Sequence, residues 1–203
     1  MLTVACTLSA LPFRDSVYNR SHVERLRSMI GQYLKQPYRF VCVDDSPFPG
    51  YWAKISLFEP GRFEGRVLYL DLDVTVIGSL DNLVGSPFPF MICRDWLRTK
   101  RPDGTIFQSR FNSSVMVWDA GVANHVYNEF EYPVMMRLPG DQDFISEQMP
   151  DAETFHADWC VSYKVSRYAK LKTMPKDARI ICYHGNPKPW DLPDNDLQGF
   201  TFA

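Results

Sequence analysis

The chain has 203 residues, 45% of them hydrophobic and 14% aromatic, enough to bury a full core and most simply one domain. A net charge of −2 and an isoelectric point near 6.1 exclude a globally basic surface of the kind that gathers nucleic acid or anionic membrane, although a local basic patch stays open. Five scattered cysteines, Cys6, Cys42, Cys93, Cys160 and Cys182, form no CxxC pair, which argues against a disulfide framework or zinc site and suits a reducing cytoplasm.

The apolar start, Leu2–Leu8, lacks a basic leader and reads as a first strand rather than a signal peptide. No run reaches the length of a transmembrane helix, so a cytoplasmic location is the expectation. Ser21 and Glu24 have capping-box spacing and predict a helix start; Val23, Leu26, Ile30 and Leu34 follow on one face, and Pro37 ends the helix. Arg39–Val43 is the next strand, closed by the turn Asp44-Asp45-Ser46-Pro47. A short helix is expected over Trp52–Glu59, and then the apolar strand Arg66-Val67-Leu68-Tyr69-Leu70 runs into Asp71-Leu72-Asp73. Phe88–Cys93 and Ser114–Trp118 read as strands with the loop Arg94–Arg110 between them. Gly121–Phe130 and Asp141–Met149 read as helices, and a last strand, Ala178–Tyr183, leads into His184 and a proline-rich tail. Strands alternating with helices predict an α/β domain with a largely parallel sheet, whose ligands sit outside the carboxyl ends of the strands.

Four segments carry chemistry at that rim. Asp71 and Asp73, two residues apart in extended chain, face one side. Two carboxylates that close repel unless a cation intervenes, and a hard divalent ion such as Mn²⁺ or Mg²⁺ would resolve the conflict and leave positions open for phosphate oxygens. Taken alone, the pair fits a turn equally well. His184, followed by Gly185 and by Lys188 in a loop stiffened by Pro187 and Pro189, adds an imidazole that suits Mn²⁺ better than Ca²⁺. Lys188 supplies a point charge for phosphate, while Trp190 reads as an aromatic plugging the core. Asp141 fits a helix cap, yet with Gln142 and Asp143 it also makes a grip on sugar hydroxyls. Asn112 and Ser113 form a turn or supply neutral hydrogen-bonding groups before the strand that follows. Lys54 reads as a solvated lysine on its helix, and the basic run Arg94–Arg101 as a hydrated loop or a cover for an anionic donor.

In order along the chain, Tyr69-Leu70-Asp71-Leu72-Asp73, Phe111-Asn112-Ser113, Asp141-Gln142-Asp143 and His184-Gly185-Asn186-Pro187-Lys188-Pro189-Trp190 resemble glycosyltransferase family 8 and its relatives with the Rossmann-like GT-A fold. The likeness runs from about Leu2 to Trp190. It implies a nucleotide-sugar donor, usually a UDP-sugar, a Mn²⁺ or Mg²⁺ cofactor, and transfer to an acceptor with retention of configuration. By that resemblance Asp71, Asp73 and His184 are metal ligands. Lys188 touches the donor diphosphate, Lys54 is a second basic residue near it, and Gly185 and Ser113 are donor-binding. Asn112, Asp141 and Gln142 hold the transferred sugar and are the catalytic candidates; Thr7 and Asp44 lie where nucleotide contacts arise. One domain over residues 1–203 is implied, with 1–110 the nucleotide and metal half and 111–203 the sugar and acceptor half with a tail. Family members are generally longer, and Ser114 stands where a glycine is commoner.

Two other readings compete. Asp71-Leu72-Asp73-Val74-Thr75 also resembles the nucleophile motif of haloacid-dehalogenase-type phosphatases, although that motif normally lies on a first strand. A non-catalytic nucleotide-sugar binder is the third reading. An intact set of charged ligands argues against it, because such a set lowers stability when no cation fills it.

Overall fold

The computed structural model describes residues 1–11, 18–96, 99–100, 106–107, 110–168, 173–193 and 201–202. The central sheet has the order β2-β1-β3-β8-β5-β9. Its strands are β1 (Leu2–Thr7), β2 (Tyr38–Val43), β3 (Arg66–Leu70), β5 (Phe90–Arg94), β8 (Phe111–Asp119) and β9 (Glu153–Thr154). β1 runs parallel to β2 and β3, and β5 runs parallel to β9, whereas β8 is antiparallel to both β3 and β5. A mixed, mostly parallel sheet is what the alternation of strand and helix predicts; the reversed β8 is a departure, because strand direction leaves no local mark in sequence.

A smaller sheet, β10-β12-β4, joins β10 (Cys160–Ser162) and β12 (Ile180–Cys182) in parallel and sets β4 (Val74–Val76) antiparallel to β12. Two short ladders complete the strands, β6 (Thr99–Lys100) with β7 (Ile106–Phe107) and β11 (Thr173–Met174) with β13 (Thr201–Phe202). The rest of the basic loop 94–110 lies largely outside the described residues. The helices are α1 (Arg20–Tyr33), α2 (Asp81–Val84), α3 (Asn124–Asn128), α4 (Tyr132–Arg137), α5 (Asp141–Gln148) and α6 (Tyr163–Tyr168).

Period-two alternation in the strands divides the apolar residues between two faces. Val4, Cys6, Leu68, Leu70, Val115 and Val117 pack with Val23, Leu26 and Ile30 of α1. Ala5, Val67, Tyr69, Met116 and Trp118 pack on the opposite face with Phe144 and Ile145 of α5 and with Trp52, Ile55 and Phe58. Those last three belong to Gly50–Phe58, which is a 3₁₀ helix rather than the expected α-helix over Trp52–Glu59. Every residue from Trp52 to Phe58 is buried, so Lys54 is carried inside and is not the solvated lysine its sequence context indicates.

The start of α1 also differs from expectation. Asn19, not Ser21, is the cap: its Oδ1 accepts from the Ser21 backbone N–H at 2.9 Å, and the Asn19 N–H donates to His22 Nδ1 at 3.0 Å. An imidazole nitrogen can accept as a carboxylate does, so histidine takes the place the capping-box pattern reserves for glutamate or glutamine.

Candidate active site

The acidic turn is the joint between the two sheets. The chain leaves the central sheet at Leu70, passes Asp71-Leu72-Asp73, and enters the smaller sheet at Val74. There Val74 pairs with Cys182, so the residues after Cys182, including His184 and Gly185, continue alongside the acidic turn. Reversal of β8 has a matching effect: its first residues, not its last, lie at the edge where β3 ends. The Asp71 N–H donates to Ser114 O at 2.9 Å, and the Leu70↔Val115 register leaves Asn112 and Ser113 beyond the last residue of β3. On the other side of β8 the register jumps from Ile92↔Met116 to Cys93↔Asn112, an irregularity that frees Ser113 and Ser114 from β5. Asn112 and Ser113 therefore belong to the strand and not to a turn before it.

α5 begins at the same edge. Gly140 is its cap residue, Phe144 and Ile145 anchor it in the core, and Asp141 and Asp143 lie buried in its first turn. That end of a helix favours negative charge. These segments enclose a cavity of about 290 Å³ lined by Lys54, Asp71, Asp73, Asn112, Gln142 and His184, among others, with Ser113, Asp141 and Gly185 also on its wall.

Two lysine–aspartate pairs organise it. Lys54 Nζ lies 3.0 Å from Asp71 Oδ1 and 3.4 Å from Asp141 Oδ2, and donates to Ser113 Oγ at 2.9 Å. Ser113 Oγ in turn donates to Asp141 Oδ2 at 2.5 Å. Burial alone lowers the pKa of Lys54, but Asp141 and Asp71 outweigh it, and the ammonium is held charged. Asp141 is raised, chiefly by burial, with Lys54 and Ser113 opposing. The second pair is Lys188 Nζ with Asp73 Oδ2, which also accepts from Tyr18 Oη at 2.8 Å; Lys188 donates to the same phenol oxygen at 2.8 Å. Burial and then Asp71 push Asp73 upward while Lys188 pulls it back.

His184 is neutral near pH 7. Burial, then the charges of Lys164 and Lys188, lower it to about 4. Its Nε2 meets Ser162 Oγ at 2.6 Å, and its ring stacks on Trp96 with centroids 5.8 Å apart. Asn112 Nδ2 donates to Gln142 Oε1 at 3.2 Å, and Asn112 Oδ1 accepts from the Ser114 N–H at 3.0 Å, so the two amides are locked together.

Three expected site residues stand outside the cavity wall. Lys188 reaches it through Asp73. Thr7 reaches it through Tyr69, whose hydroxyl lies 3.1 Å from Thr7 Oγ1 and donates to Asp71 Oδ1 at 2.6 Å. Asp44, at the end of β2, is paired with Arg20 at the surface. Trp190 is half-buried and does not plug the core: its ring lies 4.0 Å from His22 and 5.8 Å from Tyr18. Sequence reasoning missed Tyr69, Tyr18 and Ser162. Tyr69 was legible, because a residue two before Asp71 in a strand shares its side; Tyr18 and Ser162 carry no pattern.

The expected metal ligands, Asp71, Asp73 and His184, all line this one cavity, but Asp71 is engaged by Tyr69 and Lys54, Asp73 by Lys188 and Tyr18, and His184 by Ser162. Among the described residues, no three carboxylate, imidazole or thiol groups are gathered tightly enough to hold an ion. As a donor set, two carboxylates and a neutral imidazole fit Mn²⁺ or Mg²⁺. Charge balance points the same way: Asp71, Asp73, Asp141 and Asp143 against Lys54 and Lys188 leave no surplus positive charge for a diphosphate.

No family model and no curated protein matches this sequence. Solved structures do. GlyE, a glycosyltransferase of Streptococcus pneumoniae TIGR4, aligns with a TM-score of 0.63 at 14% identity over 94% of this chain and 56% of its own. The galactosyltransferase LgtC, in complex with donor and acceptor sugar analogs, gives 0.59 at 15% identity over 97% of this chain and 91% of its own. A glycosyltransferase involved in the glycosylation of the major capsid of PBCV-1 gives 0.53 at 16% identity over 92% and 94%. The chain spans little more than half the length of GlyE. The phosphatase alternative asks for the acidic pair on a first strand, and here it follows the third. The chain has the α/β GT-A fold of these glycosyltransferases.

Proposed function

We propose that this chain is a metal-dependent, retaining glycosyltransferase that moves a sugar from a nucleotide-sugar donor, a UDP-hexose, to an acceptor, with residues 1–203 acting as one catalytic unit. The observation that carries the reading is convergence. Four segments far apart in sequence, each expected at one site, line a single cavity at the edge where β3 ends and β8 begins. The shared fold supports it, as do the motifs whose resemblance implies the donor.

Asp71, Asp73 and His184 are the residues that would hold the ion. When bound, a divalent cation supplies positive charge against the diphosphate that departs. The chain's own groups do the rest. Lys188, oriented by Asp73 and Tyr18, offers its remaining N–H to a phosphate oxygen. Asn112 and Gln142, fixed by their mutual bond, leave the Gln142 amide N–H₂ to orient a sugar hydroxyl. Lys54 sits below, joining Asp71 to Asp141 so that neither carboxylate is buried without a counter-charge.

Retention by double displacement needs a carboxylate free to attack the anomeric carbon. Asp141 Oδ2 is engaged by both Ser113 and Lys54, which supports a positioning role for it and favours attack from the front face, the leaving phosphate taking the acceptor's proton. The experiment is UDP release from UDP-hexoses with Mn²⁺. Slow release that disappears in Asp73→Asn, with no glycosyl-enzyme in intact-mass spectra of the wild-type chain incubated with donor, is the expected result; an adduct lost in Asp141→Asn would support double displacement instead. Release of phosphate from a simple phosphomonoester, with none of UDP, would contradict it.

A further inference from the structure

Lys164, on α6, is a cation to which the fold gives no carboxylate partner among the described residues. Its ammonium nitrogen lies 2.9 Å from the point where a Cβ on Gly185 would sit. Gly185 has φ +74° and lines the cavity, so the ammonium stands against the face of the loop that only a glycine leaves open. Burial and then the charge of Lys188 lower the pKa of Lys164, so the cations act on each other. The carboxylate beside them, Asp73, is already taken by Lys188 and Tyr18. Lys164 and Lys188 together also depress His184. The result is a half-buried ammonium that pairs with no carboxylate among the described residues, within the electrostatic reach of a second ammonium and beside the exposed Gly185 and Asn186. Like charges that act on each other lower stability, and an anion bound between them relieves that cost.

Resting on the transferase reading, we propose that Lys164 is a second anion-binding lysine of this site, gripping with Lys188 the diphosphate of the donor across Gly185. The two ammoniums serve neighbouring phosphates, and Gly185, whose φ of +74° favours glycine, has no side chain to push the Lys164 ammonium aside. Lys164 lies outside every motif that carries the family resemblance.

Calorimetric titration of the full chain in Mg²⁺ tests this, with UDP, inorganic pyrophosphate and uridine as probes and Lys164→Gln and Lys164→Arg as variants. Wild type is expected to bind UDP and pyrophosphate. Lys164→Gln should weaken both by about tenfold or more and leave any uridine binding unchanged, while Lys164→Arg stays within about threefold of wild type. Unliganded Lys164→Gln should melt no lower than wild type, since removing one of two repelling charges relieves strain; a structural lysine would show the opposite. Equal UDP affinity in wild type and Lys164→Gln overturns the inference and leaves the transferase reading standing. Pyrophosphate binding that depends on Lys164, with no binding of UDP, sustains the anion site and contradicts the nucleotide donor. Binding of neither probe by wild type overturns both.

Discussion

At the scale of single residues, the site is a problem in charge burial. Lys54 is only 7% exposed and Asp141 only 5%, and the salt bridge between them survives because Ser113 supplies the third contact. Removing one partner of such a group leaves the others buried and uncompensated. Lys54→Met should therefore destabilise the fold by about 3 kcal/mol or more in urea denaturation, and adding Asp141→Asn to it should recover part of that loss. A variant as stable as wild type would mean that water, not Lys54, compensates these carboxylates. His184 gives a pH signature. Its folded-state pKa, about 4, lies below the ordinary 6.5, so its contribution to stability is present above pH 6.5 and is lost as pH falls towards 4. His184→Asn should flatten the melting-temperature profile over that interval; an unchanged slope would place the titration elsewhere.

At the scale of elements, what sequence showed and what it hid have separate physical causes. The stripe Val23, Leu26, Ile30 predicted the buried face of α1, and the apolar run before Asp71 predicted a buried strand, because periodicity and hydrophobicity are local properties. β4 was invisible: Val74–Val76 is too short to display an alternation, and it exists because β12 pairs with it and Arg25 of α1 donates to Val74 O at 3.0 Å and Thr75 Oγ1 at 2.8 Å. That hidden strand is what brings His184 beside the acidic turn. Asn112 and Ser113 read as a turn for a similar reason, since polar residues in a strand look like a loop until the antiparallel partner is known. The cap of α1 offers a direct check on one misreading. Asn19→Ala should cost about 1 kcal/mol, and Ser21→Ala about half of that or less, in thermal or urea unfolding. Equal losses, or a larger loss at Ser21, would restore the capping box that sequence spacing favoured.

At the scale of the whole molecule, two sheets meet at one acidic turn; strand pairing brings Asp71, Asp73, Asn112, Ser113 and His184 there, and the packing of α5 and of the 3₁₀ helix adds Asp141, Gln142 and Lys54. The same edge concentrates more carboxylates than lysines around the cavity, although the chain as a whole is nearly neutral. On the proposed function, a diphosphate would need extra positive charge to enter such a site, and a divalent ion held by Asp71, Asp73 and His184 would supply it. The proposed function then requires linkage, nucleotide binding and metal binding each reinforcing the other at this cavity. The direct measurement is the melting temperature of the full chain with UDP, with Mn²⁺, with both, and with both in Asp73→Asn. Ligand at a hundredfold excess over its dissociation constant adds about 2.7 kcal/mol, which for a chain of this size is a rise of roughly 5–10 °C. That rise is expected for the pair together in wild type, little for either alone, and none in Asp73→Asn; a rise with UDP that persists in chelator, or the same rise in Asp73→Asn, would rule out the linkage.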